Sequence, residues 1–181
     1  MNEDLTKNYS RSLFIDSALA KVEFENNGTI YQREYFASYP DSVIVCRFSA
    51  NQKEKQNLEF FYRSNPQSKV EVQQINDNQV LFLGRLKDND MQFSLRLQIE
   101  TKGGKVKIGK DGRIKVKGSD EVVLLLAGDT DYFMNFMPDF SDCNTYVGIN
   151  PIETTKKTFE RIEGLTYQDL KQRHLNDYCN L

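Results

Sequence analysis

The chain has 181 residues, enough for one domain or one domain with a small appendage. Its 24 Lys and Arg against 26 Asp and Glu leave a formal net charge of -2, which argues against a protein built to neutralise phosphates, so no nucleic-acid partner is expected. No stretch approaches the ~20 apolar residues that cross a bilayer, so no membrane partner is expected either.

The opening residues, MNEDLTKNYS, lack the basic start and apolar run of a signal peptide. As written, the chain is expected to be soluble and unprocessed. Two short strands then flank Asn27-Gly28: Ala20 to Phe24 and Thr29 to Tyr35. An Asn-Gly pair tolerates positive φ at both centres of a type I′ turn, so this pair reads as a hairpin. Val43 to Phe48 is apolar on both faces and is expected to lie centrally in a sheet. Cys46 within it reads as a small buried hydrophobe. Leu58 to Tyr62 and Val80 to Leu86 are shorter strands ended by turn formers. From Met91 to Glu100 every odd position is apolar and every even one polar, which predicts a long strand with one dry face and one wet face.

Lys105 to Ile108 and Arg113 to Val116 flank Asp111-Gly112, read as a second type I′ hairpin. Lys102, Lys105, Lys107, Lys110, Arg113, Lys115 and Lys117 gather on its face away from Val106, Ile108, Ile114 and Val116. That face either takes an anionic ligand or guards a strand edge against pairing. With no aromatics interleaved, the edge-guard reading is favoured. Glu121 to Gly128 is another strand apolar on both sides, followed by a long connection from Asp129 to Asn150. Connections of that length usually serve function or pack domains together.

Two helices close the chain. Asn150 is an N-cap, Pro151 fits the first turn and Glu153 stands three residues after the cap. Ile152, Thr155, Phe159 and Ile162 mark one face, and Gly164 is the stop. Thr166 opens the second helix with Asp169 completing a capping box. Tyr167, Leu170, His174, Tyr178 and Leu181 line one stripe at helical spacing, which needs a surface to lie on. The fold expected is mainly β, an antiparallel β-sandwich over residues 1–149, with a helical segment over 150–181.

Candidate chemistry is sparse. Asp129 and Asp131 close an apolar strand, where carboxylates either act in a site or serve as turn residues and caps. Nothing nearby would tune one pKa upward, which favours the second reading. His174 is the single histidine. Asp177 is within helical reach, but the apolar stripe favours a packed, hydrogen-bonded imidazole. Cys46, Cys143 and Cys179 are widely spaced and have no zinc-type partners, so no metal or cofactor is called for. Tyr132, Phe133 and Phe136 in the long connection either stack on a sugar or pack against a neighbouring domain.

Three stretches resemble the N-terminal region of glycoside hydrolase family 95, the α-L-fucosidase type. They are Tyr31-Gln32-Arg33-Glu34-Tyr35-Phe36-Ala37-Ser38-Tyr39-Pro40-Asp41-Ser42-Val43-Ile44-Val45, the strand Leu124 to Tyr132, and the pattern Tyr167, Leu170, His174, Asp177, Tyr178. The resemblance implies a sandwich, cut short at its start, followed by a linker helix that approaches an (α/α)₆ catalytic barrel. The acid and base of an inverting fucosyl or galactosyl hydrolase, roughly 6.5–9.5 Å apart, would lie on that barrel. It carries no catalytic residue onto these positions. The partners it implies are the parent enzyme's barrel and, through it, a fucosylated glycan. A carbohydrate-binding module and a protein-interaction sandwich are the alternatives. Incomplete sheet edges predict a homodimer through an exposed strand. The parent enzyme would be periplasmic or secreted, although these residues hold no export signal.

Overall fold

The run Val122-Val123-Leu124-Leu125-Leu126-Ala127 is apolar at every position because both of its faces are covered. Val122 and Leu124 enter one core with Phe48, Val80, Phe82, Leu97 and Ile99. Val123, Leu125 and Ala127 enter a second core with Phe36, Val43 and Val45. Successive side chains of a strand point to opposite faces, so a strand shared by two cores cannot alternate with polar residues.

The computed structural model describes residues 6–180. Eleven strands run in order: β1 (Thr6–Phe14), β2 (Leu19–Asn26), β3 (Thr29–Ser38), β4 (Val43–Ala50), β5 (Gln56–Phe60), β6 (Ser68–Asn76), β7 (Gln79–Leu86), β8 (Gln92–Lys102), β9 (Lys105–Ile108), β10 (Ile114–Ser119) and β11 (Glu121–Thr130). Helices α1 (Pro151–Arg161) and α2 (Tyr167–Tyr178) follow. Eight strands form one antiparallel sheet in the order β1-β2-β3-β4-β11-β8-β7-β6, and three form a second sheet in the order β5-β10-β9. The small sheet covers one face of the large one through Leu58, Phe60, Ile108, Ile114 and Val116. The two helices cover the other through Phe159, Ile162, Tyr167 and Leu170. The architecture is therefore a β-sandwich with a third, helical layer. Among the described residues no helix is long and apolar enough to cross a membrane.

The Asn27-Gly28 hairpin forms as predicted, with φ 49° and 72° at its two centres. β4 lies between β3 and β11, inside the sheet. Asn150 accepts a hydrogen bond from Ile152 N, and Thr166 and Asp169 form the reciprocal capping box.

Three points of the sequence reading need correction. The Asp111-Gly112 hairpin is not a type I′ turn. Only Gly112 has positive φ, 76°. Gly112 N donates to Gly109 O and Gly109 N to Arg113 O, giving a three-residue loop whose last residue is left-handed. The polar face of β8 is dry: Ser94 is 2% exposed and Arg96 6%, because α1 lies over them. Thr155 makes that burial tolerable, since its hydroxyl lies 2.8 Å from Ser94 Oγ. Strands β1 and β6 were not predicted; all nine residues of β1 are exposed, so it has no apolar face to read. The surface that the α2 stripe needs is supplied by its own sheet, through Phe36, Val43 and Val45. The last member of the stripe, Leu181, lies outside the described residues, as do residues 1–5.

Candidate functional site

The longest family-like stretch lies on β3, the β3–β4 turn and the start of β4, and it sits beneath α2. Glu34 points to the helical face, where it is 7% exposed. Tyr167 Oη donates to Glu34 Oε2 at 2.7 Å and Lys171 Nζ to Oε1 at 2.8 Å. Lys21 and Arg47 stand at 3.5 and 3.6 Å. Burial alone would raise the Glu34 pKa. The hydrogen bonds from Lys171 and Tyr167, with the charges of Lys171 and Lys21, outweigh it and bring the pKa down to about 2. Burial and the same carboxylate push the Tyr167 phenol up. Arg47 in turn donates from Nε to Glu121 at 2.9 Å and lies 5.0 Å from the Tyr167 ring centroid.

Two residues along β3, Phe36 packs against Tyr167 and stacks on His174 with centroids 4.9 Å apart. His174 is 4% exposed. Its Nε2 lies 2.9 Å from the Ser17 carbonyl, which can only accept, so the proton is on Nε2. Tyr178 Oη donates to Ile15 O at 2.7 Å. Asp41, fully buried in the β3–β4 turn, accepts from Ser38 Oγ at 2.7 Å and Arg173 Nε at 2.8 Å. Its carbonyl accepts from Arg161 at 2.8 Å. The first and third stretches of the resemblance are thus two sides of one contact. Tyr167, Leu170, His174 and Tyr178 all lie on it, on α2. Sequence reasoning missed Glu34 and Asp41 as its polar anchors.

Tyr132, Phe133 and Phe136 lie elsewhere, on the loop after β11. That loop folds back on itself: Tyr132 bridges Val147, Phe133 N donates to Tyr146 O at 2.8 Å, and Asn135 holds Thr145. Asp131, 6% exposed, anchors its base by accepting from Gln92 N at 2.9 Å and from the Gln92 side chain at 3.2 Å. Its carboxylate is therefore a brace between β8 and the loop. Tyr132 and Tyr146 stack at 6.1 Å, while Phe136 stands apart. Phe136, Met137 and Phe140 are 85–89% exposed.

The antiparallel order places the β1–β2 turn, the β3–β4 turn and this loop at the same end of the large sheet. Ile15 (76% exposed), Tyr39 (84%), Phe136 and Met137 (both 89%) all lie there. The turns at the opposite end, residues 27–28, 51–55, 77–78 and 103–104, hold only Asn, Gly, Gln, Lys, Glu and Asp. Scattered exposed apolar residues are ordinary, but these four are the most exposed of the large apolar side chains described together with Phe140, and their gathering at one end fits a contact surface.

No group of three or more metal-ligating side chains occurs among the described residues. Glu100 and Glu121 line one cavity between β8, β11 and the start of α2, but Arg47 holds Glu121 in an ion pair. The carboxylates whose pKa moves, at Glu34, Glu59, Asp111, Asp139 and Asp169, all move downward. A general acid for glycoside cleavage needs the reverse.

Residues 1–135 match the family model described as glycosyl hydrolase family 65, N-terminal domain. Alpha-L-fucosidase 2 of Arabidopsis thaliana is 28% identical over 96% of this chain and 22% of its own length. Probable alpha-fucosidase A of Aspergillus niger is 28% identical over 94% of this chain, again 22% of its own length. The chain thus spans about a fifth of the length of these relatives. A kojibiose phosphorylase from the human microbiome shares the fold, with a TM-score of 0.65 at 9% identity over 98% of this chain and 25% of that one. The chain belongs to the family of glycosyl hydrolase family 65 N-terminal domains, in the form that resembles the N-terminal domain of glycoside hydrolase family 95.

Proposed function

We infer that the chain is the non-catalytic N-terminal domain of a glycoside hydrolase that removes terminal α-L-fucosyl or α-L-galactosyl units with inversion. In this reading it supports an (α/α)₆ barrel that carries the acid and base. The observation that carries the reading is the apolar end of the large sheet. Ile15, Tyr39, Phe136, Met137 and Phe140 need a partner surface, and a barrel packed there would take them out of water. Tyr132, Phe133 and Phe136 then act as domain contacts, and the glycan meets the barrel. The two fucosidase relatives support the sugar assigned. Outside its parent the chain pairs with a second copy along β1, an edge of the sheet exposed at all nine residues.

The test is an assay of the isolated chain on an aryl α-L-fucoside. The expected result is no turnover. Turnover abolished by one Asp or Glu substitution in this chain overturns the reading.

A further inference from the structure

The two sheets of the sandwich are unequal, eight strands against three. Gly112, in the β9–β10 loop, lies against Phe82 of β7 and Val72 of β6, so the small sheet reaches the β6 edge of the large one. On its other side it stops above β4, where Phe60 of β5 meets Phe48 with ring centroids 5.4 Å apart. β3, β2 and β1 extend beyond that point. The strand register puts Leu13, Val22, Tyr35 and Ala37 on the same face as Phe48, with Ile44 of β4 beside them. Under β5 this face is closed, and Phe48 is 8% exposed. Beyond β5 it is bare: Ile44 is 44% exposed and Leu13 69%. Among the described residues β5 has no strand on its outer side, so about half of its backbone N–H and C=O groups point over the bare face. A gap of about 420 Å³ opens there between β5 and the pair β2 and β3.

We propose that an extended segment of the parent polypeptide, from outside residues 1–181, adds a strand to β5 and covers β3 and β2. An unpaired strand edge beside an apolar sheet face specifies this kind of occupant. The edge takes the main-chain hydrogen bonds of an extended segment, and the face takes apolar side chains at every second position. The proposal rests on the reading of the chain as part of a longer hydrolase. The chain spans about a fifth of the length of its fucosidase relatives, which leaves polypeptide enough to supply the strand. Ala37 stands two residues before Tyr39, so the bare face meets the apolar end assigned to the barrel. A second copy of the chain is a poor occupant. Its own β5 lies on its own large sheet, which would have to enter the layer already filled by this one. Pairing of two copies along β1 leaves β5 open.

The test compares the 181-residue chain with the longer polypeptide of the same reading frame by hydrogen–deuterium exchange. In the short chain the outward amides of β5 are expected to exchange freely. In the longer polypeptide they are slowed at least about tenfold. Ile44→Lys checks the face itself. It is expected to shift the melting temperature of the short chain by less than about 2 °C, and to lower that of the longer polypeptide by at least about 4 °C, because only there is the position covered. Turnover of an aryl α-L-fucoside by the same longer polypeptide separates the two readings. Turnover with β5 unprotected overturns the added strand alone, and protection without turnover overturns the fucosidase reading alone. An equal effect of Ile44→Lys in the two polypeptides also overturns the added strand. So does protection of the outward β5 amides in the short chain, whether at high dilution or only at high concentration, where a second copy supplies it. A reading frame that adds nothing to residues 1–181 overturns it as well.

Discussion

The Tyr167 hydroxyl donates a 2.7 Å hydrogen bond to the Glu34 carboxylate across 133 positions of chain. The bond joins the first residue of α2 to the middle of β3, so the helical layer is tied to the sheet at its entry. Lys171 binds the other carboxylate oxygen one turn further on. The pair is buried, and removing one partner leaves the other unsatisfied, which costs more than the net value of the bond.

Acid should release this tie. The Glu34 pKa is depressed to about 2 from an ordinary 4.5. A depressed carboxylate stabilises the fold above its unfolded pKa, and the contribution fades as pH falls from about 4.5 toward about 2. Allowing for solvent screening, the effect is on the order of 2 kcal/mol. Urea unfolding at pH 6 and pH 3 should show about 1 kcal/mol of this, since a carboxyl with a folded pKa of about 2 is still mostly ionised at pH 3. Glu34→Gln should be less stable at pH 6 and should show a smaller loss of stability between pH 6 and pH 3 than the parent chain.

Asp41 fastens the same helix near its middle through Arg173, and is itself held by Ser38 at the end of β3. Asp41→Ala strips two side-chain hydrogen bonds from a fully buried turn and should cost about 2–3 kcal/mol. Differential scanning calorimetry will read this as a lower melting temperature. Arg173→Ala should cost less, since the Arg173 side chain is 46% exposed.

Arg96 predicts the opposite sign. Burial lowers its pKa, and among the described residues its Nε has no partner and its side chain makes one hydrogen bond, to Gln79 at 3.0 Å. A buried cation without an ion pair gains little from its charge, and a similar apolar volume often serves as well or better. Arg96→Met should therefore be neutral or up to about 2 kcal/mol more stable by urea unfolding. A loss of more than about 3 kcal/mol would show that the charge is compensated.

Gly84 lies directly opposite Phe93, whose ring covers it. A Cβ at Gly84 would meet the Phe93 ring at 1.8 Å. Gly84→Ala should destabilise by about 1–3 kcal/mol through overpacking. Adding Phe93→Leu should recover part of the loss, which a thermal melt of the double variant will show.

The free edge of β1 predicts self-association. Light scattering after size-exclusion chromatography should give a dimer at high concentration. Leu13→Lys, at a residue 69% exposed on that edge, should return the chain to a monomer.

The strands most readable in the sequence are those whose burial follows from their own residues. β4 and β11 are apolar on both faces, and both lie inside the sheet with a core on each side. β8 shows the limit of this reasoning. Its Ser94, Arg96 and Gln98 alternate with Leu95, Leu97 and Ile99, but alternation cannot reveal that α1 will cover the polar side and satisfy Ser94 through Thr155. β1 was illegible because an edge strand exposed on both faces has no apolar period at all. The capping residues of both helices were visible because a cap is local in sequence. The Glu34 and Asp41 anchors were not, because their partners stand more than a hundred residues away.

The carboxylates of the family-like stretch hold a helix in place. A double-mutant cycle of Glu34→Gln and Tyr167→Phe, measured by urea unfolding at pH 6, tests it most directly. The account predicts a coupling energy of about 1–2 kcal/mol between the two positions. Strictly additive effects, with Glu34→Gln as stable as the parent chain, would contradict it.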